Sequence, residues 1–200
     1  MKGYIVVLPC RRSELNDVAS AYEFEGNFAD LFEFFVTDAV NLSNYWEVAV
    51  ILVTNLVDVM KILEKVRERD RQLYTSAGEF LDLESLSSFL RSVISDEYLA
   101  IVSLYDEADY IYTIDFVGSK KYECISHYRF ILETFEKISS STPIGVSSDF
   151  ISSSTGIEED IDFLDIDISA KISYEELLKI LDAEDIEEVC RRLYKICLQA

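Results

Sequence analysis

The sequence predicts an α/β or α+β fold, in which helices cover a mixed β-sheet and a small helical C-terminal appendage follows. Runs of strand-forming residues alternate with amphipathic helical patterns, and one pair of such runs is separated by a short charged turn. Half of the 200 residues are apolar, which suffices for a buried core without metal or disulfide support. Six Gly and two Pro exclude a collagen-like or low-complexity chain.

The first elements follow from local hydrophobic patterns, taken in chain order. Residues 4–8 form a short apolar run, which predicts a buried strand. Apolar residues at helical spacing predict a helix over 28–40. Residues 46–53 are β-branched, aromatic and continuous, as in a strand covered on both faces. Apolar residues at steps of three and four then predict helices over 56–66 and 82–95.

A hairpin and a further helix complete the predicted core. Residues 98–105 and 110–117 are rich in strand formers, and four residues separate them, so an antiparallel hairpin is the simplest connection. Beyond Gly118 and Ser119, apolar residues at helical spacing predict a helix that continues to residue 138. The predicted order is therefore β-α-β-α-α-β-β-α.

Composition divides the chain into three parts. Residues 1–138 form the predicted α/β core domain, and residues 139–155 read as a Ser-rich linker. Residues 156–200 form the predicted acidic helical appendage, with two short helices of which the last begins at Asp182 as N-cap.

The net charge of −20 bounds the function. An acidic chain does not present a whole surface to nucleic acid, so direct nucleic-acid binding is not expected. Residues 149–188 hold 14 acidic residues and two Lys. The leading hypothesis is a non-enzymatic acidic interaction or regulatory protein that docks a basic protein partner. A nucleic-acid-binding protein, whose ligand the acidic face would imitate, is one such partner. The predicted docking residues are Glu158, Glu159, Asp160 and Asp162.

Basic residues after two predicted strands support an alternative function. Arg11 and Arg12 follow the first strand, and Ser119, Lys120 and Lys121 follow the second strand of the hairpin. Open α/β sheets bind ligands beyond the carboxyl ends of their strands, and helix N-termini favour anions. These residues predict a site for a phosphate or carboxylate ligand, in a small α/β enzyme or ligand-binding domain. The simpler interpretation is that they offset nearby acids.

One segment resembles the calcium loop of EF-hand proteins. Oxygen-bearing side chains stand at loop positions 1, 3, 5, 9 and 12, and Ala170 occupies the position where the turn prefers Gly. The resemblance implies calcium as the one candidate cofactor. The alternative is that Ser173 and Glu176 form a capping box at the start of a helix. The implied ligands are Asp165, Asp167, Ser169, Ser173 and Glu176.

No catalytic set is predicted, and we expect a cytoplasmic location. The only histidine, His127, is interpreted as an ordinary helix residue, so no residue is assigned a catalytic role. Residues 48–53 form the longest notable apolar run, well short of the roughly 20 residues that a spanning helix needs, so no membrane contact is expected. The N-terminal apolar run lacks the small-residue cleavage site of a secretory signal peptide. We therefore expect all four cysteines to be reduced thiols, as in a cytoplasmic protein. The oligomeric state is not predicted.

Overall fold

The protein has an α+β fold built on one mixed seven-stranded sheet, as the sequence predicts. The computed structural model describes residues 1–10, 19–39, 48–72, 83–106, 111–126, 128–132 and 168–197. The strands are β1 (Lys2–Pro9), β2 (Ser20–Glu25), β3 (Val48–Val53), β4 (Tyr98–Asp106), β5 (Ile111–Gly118), β6 (Tyr128–Leu132) and β7 (Ile168–Ile172). The helices are α1 (Phe28–Phe34), α2 (Leu56–Gln72), α3 (Leu83–Val93), α4 (Glu123–Ser126), α5 (Tyr174–Leu181) and α6 (Ile186–Cys197).

The strand order across the sheet is β2-β1-β3-β4-β5-β6-β7. Every neighbouring pair is antiparallel except β6 and β7, which are parallel. β4 and β5 form the predicted antiparallel pair, with Leu99 opposite Gly118. All six residues of β3 are buried, because this central strand has neighbours on both sides and helices on both faces.

Two hydrophobic cores lie on the two faces of the sheet. Alternate residues of β3 enter opposite cores, as the two-residue period of a strand requires. The first core lies under α1, α5 and α6 and contains Phe32 and Phe130. The second core lies under α2 and α3 and contains Ile62 and Leu90. None of the described helices is both long and apolar enough to cross a bilayer.

The predicted helix that continues to residue 138 is wrong over residues 128–132, where Tyr128–Leu132 forms strand β6. Among the described residues before this strand, a short 3-10 turn (Lys120–Tyr122) and α4 are helical, and residues 133–138 lie outside the described residues. Tyr128, Phe130 and Leu132 are buried in alternation with half-buried neighbours, which is the period of a strand. The apolar residues in this part of the sequence also fit the spacing of a helical stripe. An apolar run this short does not distinguish a helix from a strand.

The C-terminal segment also differs from its prediction in detail. Its two helices are present as α5 and α6, and β7 precedes them and pairs with β6. Asp185 caps α6 by accepting a hydrogen bond from the Glu188 amide (2.7 Å), whereas the predicted N-cap, Asp182, is the C-cap of α5. The predicted linker and the boundary at residue 156 lie outside the described residues, so the domain division stays a prediction.

The expectation of four reduced thiols is wrong for one pair. Cys124 in α4 and Cys190 in α6 form a disulfide across a sequence separation of 66 residues. Their Cα atoms lie 6.0 Å apart because α6 packs beside α4, a proximity that sequence spacing does not reveal. Cys10 is buried and forms no disulfide. Because disulfides are rare in cytosolic proteins, the bond weighs against the cytoplasmic location, which stays a prediction.

Candidate partner-docking surface

Exposed charge of almost entirely one sign lies on β2, α1 and α5. These three elements hold six acidic residues and one basic residue, Lys179. β2 and α1 belong to a stretch of sequence, residues 13–60, that contains nine acidic residues and no Lys or Arg. We define the acidic surface by the exposed carboxylates of these elements together with Asp182, directly after α5: Glu23, Glu25, Asp30, Glu33, Glu175, Glu176 and Asp182.

Helices α1 and α5 lie side by side in opposite directions and bring their carboxylates together. At one end, the Asn27 side-chain amide donates to an Asp182 carboxylate oxygen (3.4 Å), so the start of α1 meets the end of α5. Toward the other end, the rings of Phe32 and Tyr174 stack with centroids 5.8 Å apart. Phe32 is fully buried, so this contact fixes the separation of the two helices.

Local capping explains why α1 and α5 begin where they do. Asn27 accepts a hydrogen bond from the Asp30 amide (2.9 Å), and the Asp30 carboxylate accepts one from the Asn27 amide (2.7 Å). This capping box satisfies free amides in the first turn of α1. Ser173 and Glu176 form the same arrangement at the start of α5, as the sequence predicts. The acidic surface therefore rests on ordered helix starts.

Carboxylates of both helices act on the pKa of Tyr174. Burial raises the pKa of the Tyr174 hydroxyl above its ordinary value, and the charges of Glu33 and Glu175 raise it further. Both carboxylates disfavour a phenolate because like charges repel. Glu33 on α1 and Glu175 on α5 thus act on the same point of the surface.

The carboxylates of β2 extend this surface around the edge of the sheet. Glu25 pairs with Lys2 at 3.6 Å, but both side chains are more than three-quarters exposed (77% and 81%). Such a pair contributes little to stability and is easily exchanged for another. Glu23 has no ion pair within the described part of the chain. Both carboxylates are therefore available to a cationic partner.

The residues first predicted to dock a partner cannot be placed beside this surface. Glu158, Glu159, Asp160 and Asp162 lie outside the described residues, and their role stays a prediction. The carboxylates of β2 and α1 were not singled out from the sequence. The signal that could have found them is the absence of basic residues between positions 13 and 60.

The two halves of the predicted anion site follow strands that run in opposite directions. The C-terminal ends of β1 and β5, at Pro9 and Gly118, therefore lie at opposite ends of the strands of the sheet. Arg11 and Arg12 lie outside the described residues, and their grouping with Lys120 stays a prediction.

In the turn after β5, two residues of the predicted anion site, Lys121 and Ser119, make contacts within the protein. Lys121 Nζ contacts Glu97 Oε2 at 2.7 Å, and this hydrogen bond raises the pKa of Lys121. The Ser119 hydroxyl accepts from the Tyr98 amide (3.2 Å). Lys120 is exposed beside them. These contacts anchor the turn after β5 to the start of β4.

The described part of the predicted calcium loop forms a strand and a helix cap. Asp165 and Asp167 lie outside the described residues, and Ser169 belongs to β7. The Ser173 hydroxyl donates to Glu176 Oε2 (2.9 Å), within the capping box of α5. No group of three or more potential metal ligands occurs among the residues that the structure describes. Calcium binding stays a prediction.

A polar cluster at the start of α2 is a feature that the sequence reading missed. Asp58 is 1% exposed, and its carboxylate accepts hydrogen bonds from Lys61 (2.9 Å) and Asn55 (3.1 Å). Ser95, in the turn before β4, donates to the same carboxylate at 3.3 Å. Burial raises the pKa of Asp58, but these hydrogen bonds and the Lys61 charge outweigh it, so the pKa lies below its ordinary value. The cluster fastens α2 to the turn before β4.

Asp58→Asn is therefore expected to lower the free energy of unfolding at pH 7 by about 2 kcal/mol, because the charged hydrogen bonds to Lys61 and Ser95 are weakened. A carboxylate with a lowered folded-state pKa stabilises the fold above its ordinary pKa of 3.8 and loses that effect as pH falls through the folded value. Urea unfolding between pH 3 and pH 7 measures the difference. Glu64→Gln, on the same helix but exposed, is the control. A difference that is independent of pH would contradict this role for Asp58.

Comparison of the chain with protein-family models, with curated proteins and with solved structures finds no match.

Proposed function

We propose that this protein is a non-enzymatic interaction protein whose acidic surface docks a basic protein partner. The observation that carries the proposal is the concentration of exposed carboxylates on β2, α1 and α5, with Lys179 as the one cation on these elements. The capping boxes and the Phe32–Tyr174 stack hold two of these elements in fixed positions. Carboxylates on ordered elements present a fixed pattern that can select one partner over another.

The magnitude of the charge supports recognition by electrostatic steering. A net charge of −20 on one small protein attracts cationic proteins over distances beyond direct contact. At physiological salt this attraction extends over about 8 Å, so the local pattern of charges decides where a partner lands. Partners that ordinarily bind nucleic acid belong to this class, because they carry matching basic surfaces.

Matched variants test whether the acidic surface is the docking site. The first carries Glu23→Gln, Glu25→Gln and Glu33→Gln. The second carries Glu64→Gln, Glu68→Gln and Glu84→Gln on α2 and α3, outside the acidic surface. Each set removes three exposed glutamates, of which one pairs with a lysine (Glu25 and Glu68). A third variant, Glu158→Gln with Glu159→Gln and Asp160→Asn, examines the segment predicted from sequence.

The probe is a fluorescent, flexible twelve-residue peptide of alternating Lys and Gly, mixed with each protein by stopped flow at low salt. We expect association with the first variant to be about tenfold slower than with the wild type, because three charges leave the landing site. The second variant should stay within twofold of the wild type. Equal slowing in the first and second variants would show that only net charge matters and would contradict the proposal. Slowing confined to the third variant would move docking to residues 158–160.

A further inference from the structure

Strand β2 forms one edge of the sheet. Among the described residues it pairs with β1 alone, in the antiparallel register that places Glu23 opposite Tyr4. An edge strand directs the amide and carbonyl groups of alternate residues away from its one partner. These groups form a template to which another extended segment can add by main-chain hydrogen bonds.

The composition of β2 leaves this edge accessible. Ala21, Tyr22, Glu23 and Glu25 are exposed. Natural edge strands are commonly protected by charged side chains, above all Lys, by Pro or by a bulge. The charges of β2 are both negative, so they repel an acidic strand but not a cationic one. β2 contains no Pro and no Lys, and its register with β1 is continuous over six residue pairs.

The two faces of β2 differ, and the difference defines what can add to it. Glu23 and Glu25 point to the face of the sheet opposite α1. Tyr22 points to the face that α1 covers, is 44% exposed and has its ring 6.1 Å from that of Phe34. Side chains directly opposite each other on neighbouring strands interact at about 5 Å. An added strand would therefore meet two carboxylates on one face and an aromatic ring on the other.

A second copy of β2 does not suit this edge. Pairing two copies would bring Glu23 and Glu25 of one chain close to those of the other, and like charges on neighbouring strands are destabilising. Among the described strands, β7 forms the opposite edge of the sheet. The carboxylates of Glu23 and Glu25 favour a basic segment at β2.

We propose that the basic partner docks by adding an extended segment to β2. The segment carries Lys or Arg at alternate positions, facing Glu23 and Glu25, and apolar residues at the intervening positions, one of which lies opposite Tyr22 and packs on its ring. This inference rests on the proposed function, because it names the form in which the basic partner is recognised.

Peptides of equal composition and charge test this mode of binding to the full chain. The alternating peptide is Thr-Lys-Val-Lys-Val-Lys-Thr, and the block peptide is Thr-Lys-Lys-Lys-Val-Val-Thr. Two further forms of the alternating peptide carry N-methyl groups, one on both Val residues and one on the outer two Lys residues. We expect the alternating peptide to bind at least about tenfold tighter than the block peptide, because only it matches both faces of β2. One N-methylated form should lose binding and the other keep it, because a strand pairs through one of its two edges.

Hydrogen exchange and charge exchange locate the contact. On binding, amides within Ser20–Glu25 should gain protection. Glu23→Lys should weaken the alternating peptide, and an otherwise identical peptide with Glu in place of its central Lys should recover at least part of that loss. Equal affinity for alternating and block peptides would overturn strand addition, as would equal binding of both N-methylated forms. If binding of every peptide is also unchanged by Glu23→Gln, Glu25→Gln and Glu33→Gln together, the proposed docking surface itself fails.

Discussion

Replacing Phe32 with alanine should lower the free energy of unfolding by about 4 kcal/mol, because a fully buried aromatic ring leaves a cavity that its neighbours fill only in part. The Phe32 ring is 0% exposed and stacks on both Phe35 (6.2 Å) and Tyr174 (5.8 Å). Phe32→Leu, which retains most of the buried apolar volume, should cost less than about 1.5 kcal/mol. Urea unfolding of the three proteins measures both values.

The same substitution connects packing with the proposed function. Phe32 joins α1 to α5 through Tyr174, so its loss should also increase hydrogen exchange in the first turn of α5. The Tyr174 pKa should fall toward its ordinary value, because burial is the largest cause of its rise. A Phe32→Ala protein as stable as the wild type would mean that the α1–α5 contact does not hold the acidic surface together.

Removing the disulfide should lower the free energy of unfolding by about 2–4 kcal/mol, because the unfolded chain regains the freedom that the cross-link removes. Cys124 and Cys190 are separated by 66 residues and join α4 to α6. Cys124 is exposed, so a thiol reductant can reach the bond. The test compares the wild type, oxidised and reduced, with the Cys124→Ser, Cys190→Ser double variant.

The double variant also supplies the control for this second prediction. Reductant should destabilise the wild type to the level of the double variant and should leave the double variant unchanged. Cys10, which forms no disulfide, is unchanged in both proteins. If reduction has no effect on the wild type, the two sulfurs are not bonded in solution, and the original expectation of reduced thiols would be restored.

The spacing of apolar residues predicted correctly those elements whose spacing fits only a helix or only a strand. The continuous apolar run of β3 and the long amphipathic stripe of α2 are confirmed, as is the antiparallel pairing of β4 with β5. Each depends on contacts between residues close in sequence or on a run long enough to have a clear period. The capping box at Ser173 is local too and is confirmed for the same reason.

Features that depend on distant contacts were not predicted. β6 reads equally well as a helix because its stripe is short, and its pairing with β5 and β7 decides the outcome. β2 alternates acidic with apolar residues, as an edge strand does, but it was not predicted as a strand because it lies within an acidic stretch. The disulfide and the Phe32–Tyr174 stack join residues far apart in the chain. The carboxylates of α1 and α5 lie side by side only once the Phe32–Tyr174 contact forms.

The ionic-strength dependence of association tests the central proposal most directly. The rate of association with the Lys-Gly probe is measured from 20 to about 500 mM salt, a range over which the Debye length falls from roughly 20 to 4 Å. We expect a steep fall for the wild type, a much shallower one for the Glu23→Gln, Glu25→Gln, Glu33→Gln variant, and wild-type behaviour for the Glu64→Gln, Glu68→Gln, Glu84→Gln control. Equal slopes for all three proteins would contradict docking at the acidic surface.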